Sequence, residues 1–163
     1  MQPMARVGPR LTRAARSAAV GALAAATVAG CSSFEPTGDH RIAPPAEYRA
    51  WFAETQACSG LKGNFDRIEW YEVDGGSFDC PGGKCVGRWN ANHRIFIASD
   101  YLESEMVVRH EMLHELIGHP GHPDPPFGNP CPLTWESWRA AHGDSASAFG
   151  VGRLVGMPLP RID

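Results

Sequence analysis

Two histidines four residues apart, with a glutamate beside the first, are the residues of this chain best suited to chemistry. They belong to the segment His110–His114, His-Glu-Met-Leu-His, which has the pattern H-E-x-x-H. On an α-helix, residues i and i+4 lie on one face, so both imidazoles can bind one zinc ion. Zinc lowers the pKa of a bound water towards neutrality, and Glu111 lies where its carboxylate can accept the proton of that water. The pattern therefore predicts a zinc-dependent hydrolase, and more narrowly a metallopeptidase.

The residues around this pattern favour a buried helix. Four of the seven histidines lie between positions 110 and 122. The apolar residues in and beside this segment are Met106, Val107, Val108, Met112, Leu113, Leu116 and Ile117. A helix that is buried on most sides seldom carries histidines without a partner or a metal. A solvated surface helix with two chance histidines fits this segment less well.

A catalytic zinc site takes three protein ligands and leaves one position for water, so a third ligand is needed. The metzincin pattern H-E-x-x-H-x-x-G-x-x-H would place a glycine and a histidine where this chain has Ile117 and Pro120. A longer turn through Gly118 and Gly121 could bring His122 back to the metal, and we expect His122 to be the third ligand. The alternative ligands are Asp124, His119 and Glu136.

Three further residues could support such a site. No tyrosine follows Tyr101, so His142 is the candidate for stabilising an oxyanion. Glu115 could hold the imidazole of a zinc ligand in one tautomer, with a solvated carboxylate as the alternative. Met157 is the one methionine after the histidines, and it fits a tail residue better than a methionine turn under the metal.

The N-terminus has the pattern of a lipoprotein signal peptide over residues 1–30. Four arginines accompany a run of small and apolar residues, Ala18 to Ala29, which is too short to span a bilayer. The run leads into Val-Ala-Gly-Cys, which resembles the bacterial lipobox and ends at Cys31. We therefore expect Cys31 to carry a lipid such as palmitate and to attach the chain to a membrane of the cell envelope, at the outer membrane or on the periplasmic side. An ordinary secretory signal is the alternative.

The cysteine count supports this interpretation, because five is an odd number for an exported protein. Assigning the lipobox cysteine to the lipid leaves an even set for two disulfides: Cys58, Cys80, Cys85 and Cys131. Three pairings are possible. Cys80 and Cys85 enclose a turn-like Pro-Gly-Gly-Lys segment that can bring their β-carbons together, which leaves Cys58 to pair with Cys131. A second metal site is disfavoured because no C-x-x-C spacing occurs.

Charge and length limit the classes of partner. Removal of residues 1–30 would take away four arginines and no acidic residue, so the net charge would change from −3 to −7. An acidic domain without a basic stripe argues against nucleic-acid binding. The remaining 133 or so residues suit one domain with one core. We expect a monomer that acts on a peptide or protein substrate and contacts the membrane through its lipid alone.

Hydrophobic periodicity predicts the elements that position these residues. A helix is expected over residues 46–57, a strand over 67–73, and a hairpin with strands over 86–90 and 94–98. The long helix is expected from about Leu102 to Ile117, with Ser99 or Asp100 as its cap and Gly118 as its end. A short helix is expected from an N-cap at Thr134 to Ala141.

Strands followed by an H-E-x-x-H helix, a nearby Gly-His-Pro and a cysteine shortly after resemble small bacterial zincin-like metallopeptidase lipoproteins. The similarity runs from about Cys58 to Cys131. It implies an α+β, zincin-like fold with a small mixed or antiparallel sheet, an active-site helix and disulfide staples. In this arrangement Arg94–Ala98 would be an edge strand that binds extended substrate, although an ordinary core strand fits the sequence equally well.

The resulting domain plan has four parts: a signal peptide over residues 1–30, a polar tether over 31–45, a catalytic domain over 46–142, and a partly disordered tail over 143–163. A protein of another class remains open. A non-catalytic zinc-binding or structural envelope lipoprotein could keep a zincin-like helix for stability alone.

Overall fold

The computed structural model describes residues 35–143 and 161–162. The predicted signal peptide, Cys31 and Met157 lie outside the described residues. The helices are α1 (Tyr48–Ser59), α2 (Glu105–Ile117) and α3 (Trp135–His142). The strands are β1 (Asp39–Ile42), β2 (Glu69–Val73), β3 (Phe78–Cys80), β4 (Gly83–Cys85), β5 (Gly87–Asn90) and β6 (Arg94–Ala98). Among these described elements, no helix has the length and the apolar character needed to cross a bilayer.

A four-stranded sheet with the order β1-β2-β6-β5 forms the centre of the fold. β5 and β6 pair antiparallel as the predicted hairpin, and β1 pairs antiparallel with β2. β2 and β6 pair parallel, with Glu69 opposite Arg94 and Val73 opposite Ala98. The sheet is therefore mixed, and the α+β class with a small mixed sheet is confirmed.

Of the two interpretations of Arg94–Ala98, the edge strand is wrong and the ordinary core strand is confirmed. β6 lies between β2 and β5, and its residues from Ile95 to Ala98 are all fully buried. A strand that is covered on both faces and paired on both sides typically has a continuous apolar sequence, and residues 95–98 have the sequence Ile-Phe-Ile-Ala. The edge strand beside α2 is β5.

The predicted tether over residues 31–45 also needs correction, because β1 lies within it. The backbone of β1 pairs with β2 from Asp39 opposite Val73 to Ile42 opposite Trp70. Cross-strand contacts support the pairing, since His40 lies 3.3 Å from the Glu72 carboxylate. A polar edge strand is held by main-chain hydrogen bonds, which the polarity of its side chains does not reveal.

The core lies between the sheet and the helices α1 and α2. Tyr48 of α1 is fully buried, its ring lies 4.7 Å from that of Trp70, and its hydroxyl donates to the Leu102 carbonyl at 2.7 Å. Phe52, one turn further along α1, packs edge-on against Phe65 at 5.6 Å between centroids. These aromatic residues fix α1 on the core, as the spacing of the aromatic residues in α1 predicts.

Both predicted cysteine pairs lie at disulfide distance. The sulfur atoms of Cys58 and Cys131 are 2.00 Å apart, which joins the last turn of α1 to the segment that precedes α3. Cys80 and Cys85 form the second pair, which spans the small hairpin of β3 and β4. The expected pairing and the description of the fold as disulfide-stapled are therefore confirmed.

The ends of the helices agree with most of the expected caps. Gly118 ends α2 in a left-handed conformation, with φ 65°, and its N–H donates to the His114 carbonyl at 2.8 Å. Thr134 caps α3 in a capping box with Ser137. The expected cap of α2 at Ser99 or Asp100 is wrong, because a short 3-10 turn over residues 99–101 precedes the helix. Ser104 is the N-cap residue of α2 instead.

Part of the predicted tail packs on the domain. The Val86 N–H donates to the Arg161 carbonyl at 3.0 Å, so Arg161 lies beside the start of β5. Ile162 is 8% exposed and belongs to the core. The predicted disorder of the tail therefore does not extend to these two residues, while residues 144–160 lie outside the described part of the chain.

Candidate metal centre

The helix α2 places His110 and His114 on one face, as their spacing predicts. Both side chains are buried, and their Nε2 atoms lie 3.1 Å apart. The helix ends four residues later at Gly118, so the chain can turn back over this face. Two imidazole nitrogens thus point at the same place beside the edge strand.

His122 completes the group. Its Nε2 atom lies 2.9 Å from that of His110, and the candidate ligand atoms of all three histidines lie within 4.8 Å of one another. His122 is the exposed member, whereas His110 and His114 are buried. The expected return of the chain through Gly118 and Gly121 is therefore observed, and three histidines come together that could hold a metal ion.

The alternative third ligands lie elsewhere. Among the described residues, the metal-ligand group contains none of Asp124, His119 or Glu136. The His119 ring instead accepts a hydrogen bond from the Gly121 N–H at 2.8 Å. Glu136 is exposed in the first turn of α3, and Asp124 is exposed in the loop after His122.

Backbone carbonyls orient the two helical histidines. His110 Nδ1 lies 2.5 Å from the Leu133 carbonyl, and His114 Nδ1 lies 2.8 Å from the His119 carbonyl. A carbonyl oxygen only accepts, so each Nδ1 carries the proton and each Nε2 presents a lone pair. Lone pairs that face each other at about 3 Å repel, and a bound cation removes that repulsion.

Burial also keeps His114 ready to bind a metal. Desolvation lowers the pKa of His114 to about 4; the bond to the His119 carbonyl opposes this shift, and the nearby charges of His122, His119 and Arg88 add to it. At neutral pH the ring is therefore uncharged, which is the state that a metal requires. The donor set fits a transition metal with a preference for imidazole, a class that includes zinc.

Phe127 forms a floor beneath the three histidines. The centroid of its ring lies 4.9 Å from that of His110, 4.8 Å from His114 and 4.9 Å from His122. Phe127 belongs to a second apolar cluster with Leu113, Cys131 and Leu133. The sequence pattern around the Pro-Pro-Phe segment gave no sign of this role, because the contact depends on the path of the loop that Cys131 fastens.

The glutamate of the motif lies between α2 and the edge strand. Glu111 is fully buried, and a β-carbon built on Gly87 of β5 would lie 2.7 Å from Glu111 Oε1. Only a glycine leaves room for so close an approach of the carboxylate to the strand. Gly87 is thus a residue of the site, and a glycine at the start of a strand was the one sequence signal for it.

Glu115 contacts Trp89 and His93 rather than the imidazole of a candidate metal ligand. Its carboxylate accepts from the Trp89 indole N–H at 2.7 Å and lies 2.7 Å from His93 Nδ1. The Trp89 ring in turn lies roughly parallel to that of His114, with 6.4 Å between centroids. Glu115 therefore joins α2 to the edge strand beside the candidate metal centre rather than fixing the tautomer of a candidate metal ligand.

A cleft of about 240 Å³ opens beside the histidines. The described residues that line it are Pro81, Arg88, Trp89, His114, Pro120, His122 and Arg161. His142 stacks on Trp138 at 4.0 Å, on the exposed surface of α3, and is not among the lining residues. The cleft therefore has two arginines near the metal centre that sequence reasoning did not select.

Comparison with models of protein families, with curated proteins and with solved structures gives no match for this chain.

Proposed function

We propose that this protein is a zinc-dependent hydrolase of zincin type, a metallopeptidase of the bacterial cell envelope that cleaves a peptide or protein substrate. The observation that carries the proposal is the convergence of the Nε2 atoms of three histidines, with the buried Glu111 next to His110 in the chain. The assignment to small zincin-like lipoproteins rests on the resemblance of the helix motif and the Gly-His-Pro segment. Protein ligands for the zinc would be His110, His114 and His122.

The roles of the chain's own residues follow from the site. A bound zinc ion would supply Lewis acidity and an acidified water. Glu111 would accept the proton of the attacking water at a carboxylate oxygen and then donate it to the leaving amine. Gly87 would keep the carboxylate close to β5, and the Leu133 and His119 carbonyls would hold the ligand tautomers.

The edge strand β5 would align the substrate. Among the described strands, β6 is its partner in the central sheet, and Arg161 forms a β-bridge with Cys85, just before β5 begins. An extended peptide laid along the outer side of β5 would pass the cleft that Trp89 and the histidines line. This role moves from Arg94–Ala98, where the sequence placed it, to Gly87–Asn90.

One observation favours a second candidate, a metal-binding envelope protein without catalysis. Glu111 has no exposed surface, and it is not among the described residues that line the cleft. A general base must reach the proton that it abstracts, directly or through one water. A carboxylate that stays enclosed between α2 and β5 would instead be a structural neighbour of the metal.

Replacing Glu111 by glutamine separates these functions. In the peptidase, Glu111→Gln should lower hydrolysis of a quenched-fluorescence peptide library by about 10²–10⁴-fold. Zinc content and far-ultraviolet circular dichroism should stay unchanged. Wild-type protein that binds zinc and turns over no peptide would support the second candidate, and equal turnover by the variant would exclude Glu111 as the base.

The proposed location has its own test. We propose that Cys31 is lipidated and that the mature chain is an acidic monomer with no affinity for nucleic acid. Cys31→Ala should move the protein from the membrane fraction to the soluble envelope fraction without a change in fold. A variant that still sediments with membranes would contradict lipid attachment at this residue.

A further inference from the structure

The turn that joins β5 to β6 holds a histidine in a conformation that usually belongs to glycine. Asn90 and Arg94 pair across this hairpin, and His93 in the turn has φ 61°. Among the described residues, His93 is the one residue other than glycine with a positive φ. Such a residue is strained, and it persists where the surrounding contacts hold it. The contacts of the His93 side chain and backbone therefore define this turn.

Two charged side chains flank the imidazole of His93, one at each nitrogen. His93 Nε2 lies 2.5 Å from Nη2 of Arg67, and His93 Nδ1 lies 2.7 Å from Oε1 of Glu115. A guanidinium group only donates, so Nε2 is the nitrogen that accepts and Nδ1 carries the proton. His93 therefore donates to the Glu115 carboxylate, and the three side chains form one continuous series of hydrogen bonds.

The Glu115 carboxylate binds a second donor on the edge strand. Its side chain is 8% exposed, and its Oε2 atom accepts from the Trp89 indole N–H at 2.7 Å. A carboxylate with so little exposure needs donors for its oxygens, and His93 and Trp89 each supply one. The position of the Trp89 ring is therefore tied to His93 through one carboxylate.

Trp89 lies between this series of hydrogen bonds and the candidate metal ligands. Its side chain is buried, it lines the cleft, and its ring lies at 23° to that of His114. His114 and Glu115 are consecutive residues of α2, so the indole faces a candidate ligand while its N–H binds the next residue. The apolar groups around a metal site control the access of water to its ligands. A displaced indole would therefore change the surroundings of His114.

We propose that Arg67, His93 and Glu115 are positioning residues of the metal centre, whose hydrogen bonds fix the Trp89 indole as the wall that lies beside His114. None of these three residues belongs to the group of histidines that could hold the metal. The inference rests on the metal site of the proposed function, and it does not require cleavage of a peptide.

Variants at position 93 separate the turn from the side chain. His93→Gly removes the imidazole and suits the left-handed backbone, so the turn itself should be retained. His93→Asn also tolerates this conformation, and its side-chain amide can donate from nearly the position of Nδ1. The first variant should therefore release the Glu115 carboxylate, and the second should hold it again.

Two variants elsewhere complete the set. Glu115→Ala removes the acceptor of the Trp89 indole N–H directly. The matched control is His40→Ala, because His40 also pairs with a glutamate, Glu72, at 3.3 Å but lies in β1 at the opposite edge of the sheet. Circular dichroism checks the fold of each variant. If Glu115→Ala does not fold, the two variants at position 93 decide the question.

The indole N–H of Trp89 gives a direct signature in the nuclear magnetic resonance spectrum. Its resonance is identified by its loss in Trp89→Phe. In His93→Gly and Glu115→Ala the resonance should shift upfield, and the proton should exchange faster with solvent, because the hydrogen bond to the carboxylate is weakened or lost. His93→Asn should restore most of the wild-type shift, and His40→Ala should leave it unchanged.

Cobalt, used as the probe metal, reports the effect on the metal centre. Competition with a chromophoric chelator should show that cobalt affinity is about tenfold weaker in His93→Gly and in Glu115→Ala. The ligand-field absorption of bound cobalt should change in the same two variants. Affinity and absorption in His93→Asn and His40→Ala should stay close to those of the wild type.

Failure of the inference and failure of the proposed function give different results. Wild-type cobalt affinity in His93→Gly would overturn the inference, and so would a loss that His93→Asn does not reverse or that His40→Ala shares. A protein that shows the expected pattern but cleaves no peptide contradicts the proposed hydrolase alone. A wild-type protein that binds neither cobalt nor zinc overturns both.

Discussion

Removal of the Cys58–Cys131 bridge should damage both the stability of the domain and the metal centre. Cys131 lies two residues before Leu133, whose carbonyl accepts a hydrogen bond from His110 Nδ1 at 2.5 Å. It also packs in the apolar cluster that contains Phe127, the floor under the histidines. Loss of the bridge therefore frees the segment that orients one ligand and supports all three.

The magnitude follows from the length of the loop that each bridge closes. Cys58 and Cys131 are 73 residues apart, for which chain-entropy arguments give about 4 kcal/mol of stabilisation. Cys80 and Cys85 are 5 residues apart, and the same argument gives about 2 kcal/mol. Removal of the short bridge is a matched control, because it also takes away two sulfur atoms, and the short bridge lies outside the histidine cluster.

Two double variants are compared, Cys58→Ala with Cys131→Ala and Cys80→Ala with Cys85→Ala. In chelator-treated protein, urea unfolding should show that the variant without the long bridge loses about 2 kcal/mol more unfolding free energy than the variant without the short bridge. Competition with a chromophoric chelator should show that zinc affinity is about 10–100-fold weaker in the variant without the long bridge and unchanged in the variant without the short bridge. Equal losses of stability, or unchanged zinc affinity without the long bridge, would refute this reasoning.

Three further perturbations follow from single contacts. Gly87→Ala should slow peptide hydrolysis at constant zinc content, because the added β-carbon would lie 2.7 Å from Glu111 Oε1, and should cost about 1–3 kcal/mol in urea unfolding. In chelator-treated protein, His114 contributes stability that is fully present above pH 6.5 and is lost as the pH falls towards its folded-state pKa of about 4. Unfolding free energies should fall by about 3 kcal/mol across this range, and His114→Gln should abolish that part of the slope. Glu115→Ala should lower stability by about 1–3 kcal/mol, measured by urea unfolding, because the buried Trp89 indole N–H loses its acceptor.

Features that depend on neighbouring residues were predictable from the sequence. The spacing of His110 and His114 fixes their common face, Gly118 ends the helix, and the hairpin of β5 and β6 forms where the pattern predicts it. The disulfide pairing followed from the short distance between Cys80 and Cys85 along the chain. Local periodicity and turn chemistry decide such features, and both are visible in a single sequence.

Features that depend on the order of strands were not predictable in the same way. Arg94–Ala98 was expected at the edge of the sheet, but a parallel contact with β2 makes it an interior strand. Strand β1 was missed because main-chain pairing, rather than an apolar pattern, holds it in place. Pairing between residues distant in the chain leaves little trace in the local sequence.

The outer contacts of the candidate site were hidden for a related reason. A backbone carbonyl such as that of Leu133 has no signature in the sequence, since every residue carries one. Phe127 reaches the site through the path of the loop after His122, and Arg161 belongs to a segment far along the chain, so no spacing relative to His110 encodes either residue. The identities of the ligands were therefore easier to predict than the groups that orient them.

Zinc binding by single-histidine variants tests the central claim most directly. Isothermal titration of wild-type protein should give about one zinc per chain, as expected for a three-histidine site. His122→Ala should abolish tight binding, whereas the matched control His119→Ala should retain it, because the His119 ring bonds to the Gly121 N–H and its main-chain carbonyl survives the change. A His122→Ala protein with wild-type affinity for zinc, or a wild-type protein that binds none, would contradict the account.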